Sequence, residues 1–466
     1  MKQKYLSKNL IQGSFLKNFS KLAIPNLIST FLASGIVIFD LWYIGMIGED
    51  ALAGVAFIFP IYMLASMLSS GAFGGAISGA VARSIGEQNF FKSACIFRSA
   101  LIIALIGSST MMILYFVFFP SYKGQMFLDL TSYSFAVQYG NILLSGMILI
   151  WTFNVLMAVT RGLGNTKIVA ICWLMVLIFQ VLLASFNFQI EEDSIKLTHT
   201  VFISFLNLVF KPIEWSAISF LGGFVFGIIS AIIFYVLSNH PLRFKYSEIL
   251  KFDGIFVLFK SGSLAGCQSI LTITISLLSL SIVGIFGKDW SAGYGIALRL
   301  ELLLVPVIFG IGGALIALVG TNYGAGYFKK SVEYAWKGTM VTVFLVSLIG
   351  ITVFINPNLW TEFFTASEKI ILITGNYLTT VGICYPFFAL GLGLYFVCQA
   401  FNTLLWPVLG TLLRLITILI LYLLLKYFNA FTYENILLVF AFSIVIYGVF
   451  IAFALHLGPW KKISQY

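Results

Sequence analysis

The sequence predicts an all-α integral membrane protein with twelve transmembrane helices in two six-helix lobes, related by a pseudo-twofold axis along the membrane normal. Three observations carry this. The 466 residues are 60% hydrophobic and only 9% charged, with a mean hydropathy of +1.02. Soluble domains run at about 45–50% apolar and about 25% charged. Apolar runs long enough to cross a bilayer, about 20 residues each, recur from Leu22 to Leu457. The second half of the chain then repeats landmarks of the first.

The expected spans are 22–44, 51–82, 93–119, 133–160, 168–189, 214–238, 253–286, 291–322, 332–356, 369–400, 407–427 and 434–457. Transmembrane β-strands would be about 10 residues long and alternate in polarity, which these runs do not. Residues 1–238 form the expected N-lobe, 239–252 a cytoplasmic connection with His240-Pro241 and a basic cluster, and 253–466 the C-lobe.

Orientation follows from Lys and Arg. One set of connections holds Lys2, Lys4, Lys8, Lys17 and Lys21, Arg83 with Lys92, Arg161 with Lys167, Arg243 with Lys245 and Lys251, Lys329 with Lys330, and Lys461 with Lys462. The alternating set holds Glu49-Asp50, Asp129, Glu191-Glu192-Asp193, Asp289, Glu362 and Glu434. The positive-inside rule places the first set, and both termini, in the cytoplasm. The net charge of +10 is spread over these connections, so no nucleic-acid partner is expected. Residues 190–213 open acidic and turn apolar at Val201-Phe202-Ile203, which fits an external hairpin or an interfacial helix.

The repeat is visible in residues. Gly45-Met46-Ile47-Gly48-Glu49-Asp50 precedes Ala53-Gly54, and Gly284-Ile285-Phe286-Gly287-Lys288-Asp289 precedes Ala292-Gly293, 239 residues later. Gly75 then matches Gly313, Tyr139 matches Tyr377 and Arg161 matches Gln399, all 238 residues apart. Six spans per half insert both halves the same way up, which sets the axis along the normal; transporters of this kind bind substrate between the halves.

Few residues carry chemistry. Asp40 lies deep in the first span, where a carboxylate is costly and faces the lobe interior. Tyr139 and Gln180 are candidates to complete a network with it, with Asn154 as a weaker one. Pro25 lies on the same helix and invites a kink. Arg299 and Glu301 sit in the eighth span. Two residues apart, they do not share a helix face, so a mutual pair is not expected; both are candidates to line the central cleft, with Tyr377. Arg98 and Arg414 are expected to snorkel towards the cytoplasm. The cysteines (Cys95, Cys172, Cys267, Cys384, Cys398) lack metal spacing and read as buried small hydrophobes. His199, His240 and His456 read as surface residues. No Gly-x-x-x-x-Gly-Lys-Ser/Thr occurs, which excludes ATP drive within this chain, and no catalytic constellation suggests an enzyme.

These landmarks resemble the multidrug and toxic compound extrusion (MATE) family over nearly the whole chain. The first span has Pro25 and then Phe39-Asp40-Leu41-Trp42-Tyr43-Ile44-Gly45; Ala51-Leu52-Ala53-Gly54 and Ala82-Arg83-Ser84-Ile85-Gly86 follow. The fourth span ends in Thr160-Arg161-Gly162-Leu163-Gly164-Asn165-Thr166-Lys167, and the second half has Gly320-Thr321-Asn322-Tyr323-Gly324-Ala325-Gly326. The resemblance implies two lobes in a V and efflux of cationic or amphipathic compounds in exchange for H⁺ or Na⁺. It is similar to the prokaryotic branch with the coupling acid in the N-lobe. By that resemblance Asp40 stands at the first-span acid and Tyr139 at the fourth-span tyrosine. Gln180 stands at the fifth-span asparagine, Ser219 at the sixth-span threonine, and Pro25 at a hinge. The family's fifth-span aspartate falls on Ala184, so one carboxylate stands where that branch has two. Under the repeat Asp40 matches Ser279, and coupling is expected in the N-lobe. No cofactor is implied; H⁺ is favoured as coupling ion over Na⁺. The expected partners are small amphipathic substrates and membrane lipids around a monomer in the inner (plasma) membrane. The alternative function is a flippase for lipid-linked saccharides, from a related branch.

The orientation is testable. A cysteine at Ser194 should react with an impermeant maleimide added outside intact cells; protection there would invert the topology.

Overall fold

The computed structural model describes residues 10–119, 130–191, 194–197, 201–203, 208–237 and 254–464. Among them, eleven helices are long and apolar enough to span a membrane, and a bent pair makes a twelfth. The N-lobe has α1 (Phe15–Gly45), α2 (Glu49–Gly86), α3 (Phe90–Phe118), α4 (Leu130–Ser145 and Met147–Gly162, bent by 46°), α5 (Thr166–Ser185) and α6 (Pro212–Leu237). The C-lobe has α7 (Ile255–Gly284), α8 (Lys288–Gly324), α9 (Phe328–Ile355), α10 (Glu368–Phe401) and α11 (Leu405–Tyr427), then α12 (Tyr433–Leu457). Every expected span coincides with a helix. The first begins earlier, at Phe15, because Leu16, Phe19 and Leu22 extend its apolar pattern. The expected 239–252 connection lies outside the described residues.

Between α5 and α6 the chain forms two antiparallel ribbons. Strand β1 (Phe188–Glu191) pairs with β2 (Ser194–Leu197), with Glu191 opposite Ser194. Strand β3 (Val201–Ile203) pairs with β4 (Leu208–Phe210). Of the two forms expected for this segment, the hairpin is the one found. The C-lobe joins α11 to α12 in five residues, 428–432. The insertion accounts for the change in register: the last residues of α6 and α12, Leu237 and Leu457, stand 220 apart.

The surfaces of these helices carry many exposed apolar side chains, Ile38, Ile113, Leu277 and Phe344 among them, as a lipid solvent requires. The same setting corrects the reading of the cysteines: Cys267 is exposed and Cys384 half-buried, while Cys95, Cys172 and Cys398 are buried. An apolar thiol facing lipid has no need of burial in protein.

The lobes meet along a pseudosymmetric seam. A Cβ added to Gly86 on α2 would lie 2.2 Å from the Thr321 carbonyl oxygen on α8, and one on Gly324 would lie 2.0 Å from the Arg83 carbonyl oxygen on α2. Gly86 and Gly324 are matched by the repeat, and so are Arg83 and Thr321. The same exchange recurs deeper. Gly75 receives the side chain of Gln399, and Gly313 receives the side chains of Asn26 and Arg161. In lipid, helices associate by close packing rather than by a hydrophobic drive, and small residues permit it. Hydrogen bonds reinforce the seam. Arg83 donates to the carbonyls of Gln399 (3.0 Å) and Ala400 (2.6 Å) at the end of α10. Gln399 donates to the Gly71 carbonyl at 3.0 Å, Asn322 to that of Leu10 at 3.4 Å, and Lys330 to that of Ile11. All these contacts lie at, or on the side of, the helix ends that carry the basic connections.

Gly324→Val should therefore destabilise the folded protein by about 1–3 kcal/mol through overpacking. Gly295→Ala should be neutral or slightly stabilising, since nothing lies within 4 Å of a Cβ there and Ala is the better helix former. Thermal unfolding in detergent compares the two; equal melting points would contradict the seam.

Candidate functional site

Three helices converge on Asp40. It lies on the buried stripe of α1 with Asn26, Ser29, Ile36 and Tyr43, and is 4% exposed. The Tyr139 hydroxyl on α4 donates to its Oδ2 at 2.6 Å. The Ser216 hydroxyl on α6 donates to its Oδ1 at 2.6 Å. Each carboxylate oxygen thus has a donor, which is what keeps a buried carboxylate tolerable. The bend in α4 falls just beyond Tyr139, at Gly146, where a Cβ would lie 2.3 Å from Leu221 of α6. Gly54 lets α2 approach α4 equally closely, against the Ser132 carbonyl. A small cavity of about 10 Å³ adjoins the carboxylate, lined by Asp40, Val55, Tyr62, Tyr139, Leu143 and Phe220 among others. That is room for about one water.

The remaining expected site residues divide. Gln180 is buried and packs on α1, but its Nε2 donates to the Ile36 carbonyl at 3.2 Å rather than to Asp40, and its Oε1 has no partner. Ser219 donates to the Ser216 carbonyl of its own helix at 2.9 Å; the hydroxyl that reaches Asp40 is one turn earlier. Asn154 donates to Ser69 at 2.8 Å, tying α4 to the π-helical stretch Met67–Phe73 of α2. Pro25 lies inside α1, which continues unbroken through it. Its neighbours hold the other lobe: Asn26 donates to the Gly310 carbonyl at 2.7 Å and Thr30 to that of Pro306 at 3.0 Å, both on α8.

In the C-lobe, Arg299 and Glu301 do not pair. The Arg299 guanidinium lies over the Phe364 ring at 5.1 Å, while Glu301 accepts a hydrogen bond from Tyr377 at 2.5 Å. Arg414 is half-buried; its guanidinium lies over the Phe388 ring of α10 at 6.0 Å, and its Nε is buried without a partner. A larger open cavity, about 460 Å³, lies against Pro357, Asn358, Glu362 and Glu368 and contains none of the expected site residues.

Two residues were missed from sequence. Ser216 sits in an apolar run with no spacing signal to separate it from Ser219. Tyr62, which lines the cavity, carries a signal: the repeat matches it to Glu301, 239 residues on.

The MatE family model matches residues 25–186 and 265–428. A probable multidrug resistance protein YpnP of Bacillus subtilis is 20% identical over 271 residues, 58% of this chain and 56% of that protein. The chain thus spans little more than half of that relative's length. A probable multidrug resistance protein NorM of Thermotoga maritima is 22% identical over 390 residues, 80% of this chain and 77% of that protein. Among solved structures, a MOP superfamily transporter from Pyrococcus furiosus has a TM-score of 0.84 at 16% identity, with 98% of each chain covered. A MATE structure in the bent conformation has a TM-score of 0.84 at 17% identity, with 99% of each chain covered.

The Asp40 geometry predicts an asymmetry between neighbouring serines. Ser216→Ala should cost about 1.5–3 kcal/mol, the worth of a hydrogen bond to a charged group. Ser219→Ala, which removes only a neutral bond to its own helix, should cost less, about 0.5–1.5 kcal/mol. Melting curves in detergent decide it: equal losses would mean that Ser216 does not hold the carboxylate.

Proposed function

The chain belongs to the MATE family of membrane transporters, and on that premise we propose that it is a secondary multidrug exporter, driving amphipathic or cationic compounds out in exchange for H⁺ through Asp40. The observation that carries this reading is a buried carboxylate on α1, bonded to Tyr139 and Ser216, on a helix that also holds the opposite lobe. Protonation removes the charge, and with it the demand for two donors. α1 can then shift relative to α4 and α6. Thr30 and Asn26 lie ten and fourteen residues before Asp40, about 15–21 Å along the helix, and they bond α8. A shift of α1 therefore reaches the seam between the lobes directly.

The ligand set supports H⁺ over Na⁺. Both hydroxyls at Asp40 donate to it, which holds the carboxylate in its ionised form until a proton arrives. Hard cations instead take several oxygen ligands, whereas two side-chain hydroxyls, of Tyr139 and Ser216, meet Asp40 here. With the basic helix ends in the cytoplasm, the seam would close that side, and H⁺ entry and drug release would take place from the other. If H⁺ weakens drug binding, drug weakens H⁺ binding by the same factor. Multidrug recognition then falls to adaptable apolar and aromatic surface between the lobes. A location in the plasma membrane is supported by the bacterial relatives.

The test is efflux of a fluorescent cation from proteoliposomes with a pH gradient and a Na⁺ gradient imposed separately. Asp40→Asn should insert normally and bind drug, yet lose gradient-driven efflux; Asp40→Glu should keep part of it. The pH gradient, not the Na⁺ gradient, should drive the wild type. Full efflux by Asp40→Asn would remove Asp40 as the coupling site.

A further inference from the structure

The ribbons between α5 and α6 are not required by the repeat, since the C-lobe turns from α11 to α12 in five residues, 428–432. Yet they pack on the helix ends nearest Asp40. Tyr43 lies one turn beyond Asp40 on α1, and Trp215 directly precedes Ser216 on α6. With Ala184 at the end of α5 they form an apolar cluster of their own. Tyr43 is 1% exposed, Trp215 4% and Ala184 0%.

Both ribbons cover that cluster. In the first, Phe188 stands opposite Leu197, so the two side chains share one face, and both pack against the cluster. In the second, side chains alternate: Val209 is exposed, while Phe210 packs inward. The Phe188 ring lies 6.1 Å from that of Trp42 and 5.9 Å from that of Tyr43; the Phe210 ring lies 5.9 Å from that of Trp215. Two hydrogen bonds tie the layer together. Asn187, itself fully buried, donates to the Tyr43 hydroxyl at 2.6 Å. The Trp215 indole donates to the Leu183 carbonyl at 2.9 Å, closing α6 on α5. Asp40 therefore has two unlike sides. Towards α5 and the ribbons, packed rings stand over it. Towards α2 and α4 it meets the small cavity, whose lining includes Val55, Tyr62, Tyr139 and Leu143 and takes no residue from α5.

We propose that the two ribbons are a cap on the N-lobe that seals the crevice between α1, α5 and α6, leaving Asp40 open to exchange only on its cavity side. Closely packed apolar side chains leave no room for water, and a dry layer offers no hydrogen-bonded path to the carboxylate. Phe188, Phe210 and Asn187 are positioning residues in this arrangement: none touches Asp40, and each fixes Tyr43 or Trp215 above it. A carboxylate that exchanges between two sides of a membrane must not face both at once. A permanent seal on one approach leaves a single path to be opened and closed. That the exchange is of protons rests on the proposed function; the seal rests on packing alone.

The seal is read by modification of Ala184→Cys with a charged, water-soluble thiosulfonate, on the full-length protein in nanodiscs. The parent chain, with its own five cysteines, is the blank. With the ribbons intact, Cys introduced at Ala184 should react slowly. Adding Phe188→Ala, which removes two ring contacts, should quicken the reaction by about tenfold. Phe210→Ala, in the other ribbon, should do the same and covers the case in which Phe188→Ala does not fold. Phe188→Leu keeps the apolar bulk and should preserve protection. Cys172, buried in the same helix, should stay unmodified throughout, which separates an opened cap from an unfolded lobe. Fast modification with the ribbons intact, or a rate that neither Phe188→Ala nor Phe210→Ala changes, would overturn the cap. In proteoliposomes without drug, the opened variants should dissipate a pH gradient faster than the wild type, and adding Asp40→Asn should stop that leak. Faster modification without an Asp40-dependent leak would keep the cap and count against the Asp40 reading instead.

Discussion

A carboxylate held in the hydrocarbon layer must be hydrogen-bonded, paired or protonated, because lipid offers it nothing. Much of the N-lobe arrangement follows from meeting that demand at Asp40. Two hydroxyls must reach it, and they come from helices far apart in sequence: Tyr139 from α4 and Ser216 from α6. Bringing three helix backbones that close requires residues without side chains at the crossings. Gly146 of α4 stands where a Cβ would meet Leu221 of α6, and Gly54 lets α2 close on α4 beside them, against the Ser132 carbonyl. The bend of α4 at Gly146 and the polar centre of the lobe are parts of one solution.

The seam between the lobes meets a different constraint with the same means. The proposed alternation needs it to hold in one state and release in another, which a large apolar interface would not suit and lipid would in any case not drive together. It rests instead on backbone against backbone at Gly86 and Gly324, with side-chain donors to helix-end carbonyls. These contacts are modest one by one. They are also discrete, so separating the lobes replaces a set of them rather than stretching it. The matched pairs Gly86/Gly324, Arg83/Thr321 and Gly75/Gly313 make the seam nearly self-complementary, although Arg161 and Gln399 give its two sides different chemistry.

How much of this the sequence carries depends on whether a feature has a period. The spans and the repeat are periodic, so all twelve helices and the register between Gly45 and Gly284 could be read in advance. The ribbons between α5 and α6 break the repeat and showed only as an apolar return after an acidic run. Asp40 could be read because a charge in lipid stands out. Its partners were partly legible: Tyr139 came from the family pattern, whereas Ser216 and Ser219 are one turn apart in the same apolar helix, and only the rotation of α6 decides between them. Gln180 came at the right depth but turned its amide to the Ile36 carbonyl.

The C-lobe shows why matching residue to residue was not enough. The offset places Ser279 opposite Asp40, which reads as a lobe without an acid. The geometry shows that the constant element is the tyrosine, Tyr139 in one lobe and Tyr377 in the other, with a carboxylate against its hydroxyl in both. The acid can come from either helix that packs beside that tyrosine, since a hydrogen bond fixes the position of an oxygen and not of a backbone. Asp on the first helix and the longer Glu on the second reach the corresponding place by different routes. A repeat in a membrane protein is therefore better compared by which hydroxyls and carboxylates meet than by which positions align. On that comparison the two lobes are alike in setting a carboxylate against the hydroxyl of the fourth-helix tyrosine.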